Sequence, residues 1–123
     1  MKKILIVEDH ADIRRLIRMT LEFEDCEVHE ACDALSGWAL VQQIKPDVVL
    51  LDVMMPGGPD GLDLCLAIKI EPDLDNVRVI MLSARGHAED RQAGMNAGAD
   101  LYMVKPFSPM QLLAAIQDDG VPA

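Results

Sequence analysis

The sequence is poor in aromatic residues and in basic residues. Its 123 residues include one Trp, one Tyr and two Phe, and 11 Lys and Arg stand against 21 Asp and Glu. The formal net charge of -10 disfavours direct binding to nucleic acid or to an anionic membrane, because both would repel the chain at long range. We therefore expect cations and basic protein surfaces as its partners.

Long hydrophobic runs and paired cysteine motifs are also lacking. The start, MKKILIVEDH, has only four consecutive apolar residues before two acids, which is too few for a signal peptide or a membrane span. Cys26, Cys32 and Cys65 show no CxxC or Cys/His spacing, so neither a disulfide framework nor a zinc site is indicated. Free thiols are typical of a reducing compartment, and we expect a cytoplasmic protein.

Glycine-rich phosphate motifs are absent as well. Neither GxGxxG nor GxxxxGK[ST] occurs, so dinucleotide-binding and P-loop functions lose their support. The length and the 50% hydrophobic content suit one domain with one core. We predict a single domain over residues 1–123.

Short apolar segments are what the sequence does have. The strongest strand candidates are Ile4 to Val7, Val48 to Leu51 and Val77 to Leu82, and the weaker ones are Val28 to Ala31 and Leu101 to Val104. Runs of this length that are rich in β-branched residues suit strands buried on both faces, as parallel strands are.

A helical pattern follows each predicted strand. Apolar stripes run through Leu16, Leu35 and Leu64, a less apolar helix covers 87–97, and the last helix begins at Ser108–Pro109 with a serine cap. Five β-α repeats predict an α/β fold: a doubly wound five-stranded parallel sheet with five helices. The flavodoxin-like strand order 2-1-3-4-5 places ligands beyond the carboxyl ends of the first and third strands.

Chemically active residues follow four of the five predicted strands. Glu8 and Asp9 follow the first strand, Asp52 the third, Ser83 the fourth and Lys105 the fifth. The predicted topology brings all of them to one edge of the sheet. Three carboxylates at one crevice repel one another unless a cation lies between them, and oxygen ligands of this kind suit Mg²⁺.

These residues lie in segments that resemble the receiver domain of two-component response regulators. The segments are the acidic pair at 8–9, VVLLDVMMP at 48–56, LSAR at 82–85 and AGADLYMVKPF at 97–107. Each segment alone is a weak signal, but their order and spacing together are specific. The resemblance extends from residue 3 to about residue 117.

The resemblance implies a role for each site residue. Asp52 would accept a phosphoryl group, and Glu8 and Asp9 would hold Mg²⁺ together with Asp52 and the backbone carbonyl of Met54. The cation of Lys105 would pair with the phosphoryl group. A carboxylate is a competent nucleophile toward phosphorus when a metal and a cation neutralise the developing charge.

The resemblance also implies a switch. Ser83 would hydrogen-bond the phosphoryl group, and Tyr102 would turn inward as the serine moves. The peptide bond before Pro106 would be cis. Output would pass through the fourth helix, the fifth strand and the fifth helix, on a surface that includes Arg91, Met95, Tyr102 and Phe107.

The implied partners are a histidine kinase or phosphotransfer protein as phosphoryl donor, and either a downstream protein or a C-terminal effector domain beyond residue 123. The chain would be a signalling switch that assists its own phosphorylation and dephosphorylation, and not an enzyme. Two features depart from the family pattern: Ser83 replaces the commoner threonine, and the loop after Asp52 holds one extra residue near Gly58–Pro59.

Two other functions stay open. A phosphatase of the haloacid dehalogenase type also uses a strand-end Asp and Mg²⁺, but it needs a second Asp as general acid two residues later, where this chain has Met54. A phosphorylation-independent interaction module is disfavoured by the intact set of five site residues.

The histidines and methionines do not by themselves indicate a functional site. His10, His29 and His87 have no ligand-spaced partner in the sequence and are predicted as surface or loop residues, although His10 adjoins the acidic pair. Most of the eight methionines, such as Met19 and Met81, have the spacing of core residues.

Overall fold

The computed structural model describes residues 2–22, 24–55 and 58–117, which form five β-α pairs. The strands are β1 Lys2–Val7, β2 Cys26–Ala31, β3 Val48–Asp52, β4 Arg78–Ser83 and β5 Leu101–Val104. The helices are α1 Ala11–Leu21, α2 Ala34–Ile44, α3 Gly61–Ile70, α4 Ala88–Asn96 and α5 Pro109–Gln117. A short 3₁₀ turn at Pro72–Leu74 precedes β4.

All strand pairs are parallel, and the order in the sheet is β2-β1-β3-β4-β5. The predicted doubly wound sheet is therefore confirmed. Register aligns Val7 with Leu51 and Ser83 with Val104, so the residues that follow these strands emerge at one edge. The prediction of a single domain over 1–123 stays a prediction, because residues 118–123 lie outside the described part of the chain.

The sheet separates two hydrophobic clusters. Side chains alternate along β1, so Leu5 and Val7 pack with α2 and α3 while Ile4 and Ile6 pack with α1 and α5. Every residue of β3 is buried. Burial on both faces explains why the central strands read as unbroken apolar runs instead of alternating ones.

The predicted inward face of α2 is wrong in part. Leu35 is 68% exposed, whereas Val41 of the same apolar stripe is buried, and Ala34 and Gly37 complete the face toward the core. A Cβ on Gly37 would lie 3.1 Å from both Leu64 and Val7 side chains. Small residues thus let the helix approach the sheet closely, which an apolar stripe drawn from large residues does not show.

The methionine prediction is also wrong in part. Met81 is fully buried, but Met19 is 53% exposed, and Met54 and Met95 are each 47% exposed. Leu16 of α1 is exposed in the same way, and Ile17 takes the buried position beside it. The face of α1 that packs on the sheet and on α5 therefore holds Ile17, Thr20 and Leu21 of the apolar stripe, and not Leu16.

The predicted start of α5 is confirmed. The backbone N–H of Gln111 donates to the Ser108 hydroxyl at 3.1 Å, and the Ser108 N–H donates to the Gln111 side chain at 2.9 Å. This reciprocal pair satisfies two N–H groups that a helix start otherwise leaves free.

Candidate functional site

The five predicted site residues meet at the carboxyl edge of the sheet. Glu8, Asp52 and Ser83 are buried, with 0%, 3% and 1% of their surface exposed. The Lys105 ammonium lies 2.6 Å from Glu8 Oε1 and 3.5 Å from Asp52 Oδ1. Asp9 adds a further carboxylate, with an oxygen within 4.8 Å of carboxylate oxygens of both Glu8 and Asp52.

Hydrogen bonds that continue the sheet hold these residues just past the strands. The Glu8 N–H donates to the Ala31 carbonyl at 3.1 Å, and the Lys105 N–H donates to the Ser83 carbonyl at 2.7 Å. The bond between Lys105 and Pro106 is cis, as the resemblance implied. The site residues therefore extend rigid strands and are not carried on free loops.

Gly61 fixes the exit of the chain beyond Asp52. Its N–H donates to the Val53 carbonyl at 3.1 Å, and a Cβ at this position would lie 2.2 Å from the Asp52 carbonyl oxygen. Only glycine allows α3 to begin this close to the end of β3.

Burial and mutual repulsion perturb the two buried carboxyls. Burial and the adjacent Glu8 raise the pKa of Asp52 to about 8, against the attraction of Lys105. Burial also acts to raise the pKa of Glu8, but Asp52 and Lys105 outweigh it, so this pKa lies below its usual range. The site therefore has one lysine for three carboxyls, and a further cation would relieve the excess negative charge.

Two buried oxygens in the site lack hydrogen bonds. Glu8 Oε2 and Asp9 Oδ1 accept none from any residue that the structure describes. Donor atoms of Glu8, Asp9, His10 and Asp52 all lie within 4.8 Å of one another. Oxygens that are desolvated but unpaired are costly, so this arrangement fits a bound divalent cation.

His10, predicted as a surface residue that adjoins the acidic pair, also lies close to two carboxylate oxygens of the site. Its side chain is 65% exposed, as predicted, but its Nδ1 lies 3.2 Å from Asp9 Oδ1 and 3.7 Å from Glu8 Oε2. It therefore does have ligand-spaced partners. The only signal in the sequence is its position directly after the acidic pair.

Ser83 and Tyr102 lie on the side of the site toward α4. The Ser83 hydroxyl accepts a hydrogen bond from the Arg85 N–H at 3.0 Å. The Tyr102 ring is only 7% exposed, and its hydroxyl donates to the Arg85 carbonyl at 2.8 Å. Both side chains thus contact the same residue of the loop between β4 and α4, while the predicted switch itself stays a prediction.

Arg91, another residue of the predicted output surface, lies over the Tyr102 ring. The Arg91 guanidinium lies 5.8 Å from the centre of the Tyr102 ring, and Met95 is 47% exposed. Arg91, Tyr102 and Phe107 line one shallow cavity between α4 and α5.

The loop after Asp52 is described only in part. Pro56 and Gly57 lie outside the described residues, so the predicted extra residue near Gly58–Pro59 and the metal-binding carbonyl of Met54 stay predictions. The Met54 N–H donates to Asp52 Oδ1 at 3.1 Å. Among the described residues, no helix has the length and apolar character needed to cross a membrane.

The chain is similar to known proteins over nearly its whole length. The sequence model of the response regulator receiver domain family matches residues 4–117. The phosphate regulon transcriptional regulatory protein PhoB of Klebsiella pneumoniae is 42% identical over 116 residues, which cover 94% of this chain and 50% of that protein. The chain thus spans about half the length of such curated relatives.

Solved structures are similar over nearly the whole chain. The chemotaxis protein CheY4 of Vibrio cholerae is 32% identical with a TM-score of 0.88, over 95% of this chain and 97% of that one. The Mn²⁺-bound form of response regulator Rcp1 is 28% identical with a TM-score of 0.81, over 95% of this chain and 90% of that one.

Proposed function

The chain belongs to the response regulator receiver domain family, and from this premise we propose that it is the phosphoacceptor switch of a two-component phosphorelay. The observation that carries the proposal is the contact of Lys105 with both Glu8 and Asp52, beside buried carboxylate oxygens that no described residue pairs. A buried acceptor carboxylate, a cation and a group of oxygens that can hold a metal ion are what phosphoryl transfer to an aspartate requires.

Asp52 acts as the nucleophile. One of its oxygens attacks the phosphorus of a phosphohistidine, the P–N bond breaks, and the departing imidazole nitrogen takes up a proton. Asp52 must be ionised to attack, and the raised pKa of about 8 shows that the site disfavours this ionised form without further positive charge.

A divalent ion supplies that positive charge when bound, and the residues present fit it. Glu8, Asp9 and Asp52 would hold it, and the Met54 carbonyl would complete the oxygen set. We propose Mg²⁺ as the ion, and the existence of a Mn²⁺-bound form of the similar response regulator Rcp1 supports the binding of a divalent ion. Lys105 and Ser83 would bind the phosphoryl oxygens, by charge and by hydrogen bond respectively.

The partners follow from the family and from the length of the relatives. A histidine kinase or a phosphotransfer protein would supply the phosphoryl group in the cytoplasm. Several curated relatives are transcriptional regulators about twice the length of this chain. We propose an output through α4, β5 and α5 to an effector domain or a downstream protein, with no direct contact between this domain and nucleic acid.

The chain would assist its own phosphorylation and dephosphorylation without acting as an enzyme on another substrate. The dehalogenase-type phosphatase is disfavoured because its general acid would have to be Met54, whose thioether transfers no proton. The phosphorylation-independent module is disfavoured because all five predicted side chains lie at one edge of the sheet.

Incubation with Mg²⁺ and acetyl phosphate, followed by intact mass measurement, tests the proposal. We expect one phosphoryl adduct in wild type, none in Asp52→Asn and none in excess EDTA. Asp75→Asn is the matched control, because Asp75 is an exposed carboxylate beyond the 3₁₀ turn. An adduct that persists in Asp52→Asn, or wild type that stays unlabelled beside a labelled receiver, would refute it.

A further inference from the structure

We propose that His10 is a nitrogen ligand of the metal site, so that the site binds divalent first-row transition ions in preference to Mg²⁺. The inference deepens the proposed function, since it rests on that function's placement of a divalent ion among Glu8, Asp9 and Asp52. It assigns a role to a residue that the phosphoryl chemistry does not use.

The geometry of three atoms carries this inference. Nδ1 of His10 lies 3.2 Å from Asp9 Oδ1 and 3.7 Å from Glu8 Oε2. Neighbouring ligand atoms of an octahedral ion with bonds of about 2.1 Å lie about 3 Å apart. The imidazole nitrogen and the two carboxylate oxygens thus have nearly the spacing of ligands around one ion.

The unpaired oxygens are the same two atoms. Glu8 Oε2 and Asp9 Oδ1 are buried and accept no hydrogen bond from the described residues, although the His10 nitrogen lies near both. The imidazole therefore does not satisfy them by a directed hydrogen bond. A cation between the nitrogen and the two oxygens satisfies all three atoms at once.

The position of His10 in the chain leaves its ring available. It is the N-cap residue of α1, with an extended backbone, and its side chain makes no capping hydrogen bond. Ser, Thr, Asp and Asn are the residues that serve helix caps. The His10 side chain is thus not used by the helix that it precedes, and it turns instead to the acidic pair.

The chemistry of the donor set predicts the selectivity. Mg²⁺ favours oxygen ligands and keeps much of its own water shell. Imidazole binds first-row transition ions, with affinity that is lower for Mn²⁺ and higher for Co²⁺, Ni²⁺ and Cu²⁺. Replacing one water of the ion by an imidazole nitrogen therefore strengthens the binding of later first-row ions and does little for Mg²⁺.

The test is carried out on the unphosphorylated chain without a phosphoryl donor. Pulsed electron paramagnetic resonance of the Mn²⁺-loaded protein detects ¹⁴N coupling from a directly bound imidazole. We expect this coupling in wild type and its loss in His10→Ala. His29→Ala is the matched control, because its ring lies 2.8 Å from the Glu27 carboxylate on β2 and should leave the coupling intact.

Calorimetric titration with Ni²⁺ alone and with Mg²⁺ alone tests the selectivity. We expect His10→Ala to lose at least about tenfold in Ni²⁺ affinity, since even indirect partners of metal ligands change affinity by about 10- to 100-fold. Its Mg²⁺ affinity should change much less. His10→Asn provides a second variant that keeps a good helix cap if the alanine variant folds poorly.

Absence of ¹⁴N coupling in wild type, coupling that survives in His10→Ala, or equal losses for both ions would overturn the inference. These results are separate from the fate of the proposed function. If ¹⁴N coupling is seen but Asp52 forms no phosphoryl adduct, His10 is a metal ligand and the phosphoacceptor proposal fails. If the adduct forms but no ¹⁴N coupling is seen, the phosphoacceptor proposal stands and the His10 inference fails.

Discussion

Removal of the Asp52 carboxylate should make the metal-free protein more stable, by an amount that grows with pH. Asp52 is 3% exposed and adjoins Glu8, so its ionised form is disfavoured in the folded protein. Asp52→Asn keeps the shape of the side chain and removes its charge. The favourable contact with Lys105 is lost as well, but burial and Glu8 dominate the raised pKa.

The magnitude follows from the pKa of about 8, against 3.8 for an ordinary aspartate. Between these values the folded chain holds a proton that the unfolded chain has released, so stability falls as pH rises through the window and is flat above it. The slope is at most about 1.4 kcal/mol per pH unit. From pH 5 to pH 7 wild type should therefore lose about 3 kcal/mol relative to Asp52→Asn.

Urea unfolding in EDTA at pH 5, 6, 7 and 8 measures this difference directly. Asp75→Asn, which alters an exposed carboxylate, should follow wild type at every pH. Saturating Mg²⁺ should reduce the difference between wild type and Asp52→Asn at pH 7, because the ion neutralises the site. Parallel pH profiles for wild type and Asp52→Asn in EDTA would refute the reasoning.

Three further predictions concern single side chains. Lys105→Met should cost about 3 kcal/mol in urea unfolding at pH 7, because it leaves a buried carboxylate without its cation at 2.6 Å. Gly94→Ala should cost about 1 to 3 kcal/mol, because its Cβ would lie 2.8 Å from the Tyr102 ring. Iodoacetamide should modify exposed Cys32 about a hundred times faster than buried Cys65, whose burial raises the thiol pKa to about 11.

Each of these predictions has its own control. Lys45→Met removes an exposed lysine and should leave stability unchanged within about 0.5 kcal/mol. The Gly94→Ala penalty should largely vanish in a Tyr102→Ala background, and a penalty that persists there would place the clash elsewhere. Equal labelling of the two thiols in the folded protein would contradict the burial argument, whereas equal labelling in urea is expected.

The fold could be predicted because its signals are local. Apolar runs of four to six residues alternate with helical stripes, and right-handed β-α units leave few ways to arrange them. The same topology brings every strand's carboxyl end to one edge. Glu8, Asp52, Ser83 and Lys105 could therefore be placed together from their positions after strands, although they are far apart along the chain.

The strand order and the five residues just past the strands could thus be predicted without the structure, because both follow from local patterns and from the common topology of such folds. Which side of α2 faces the core could not be predicted, because it depends on the close approach of the helix at Gly37, which favours small residues over Leu35. The tertiary structure also decided the place of His10, since the direction of a side chain just outside a strand depends on the path of the following turn. Hydrophobic periodicity carries no information about that direction, and only the packed structure brings the His10 nitrogen within 3.2 Å of the Asp9 carboxylate.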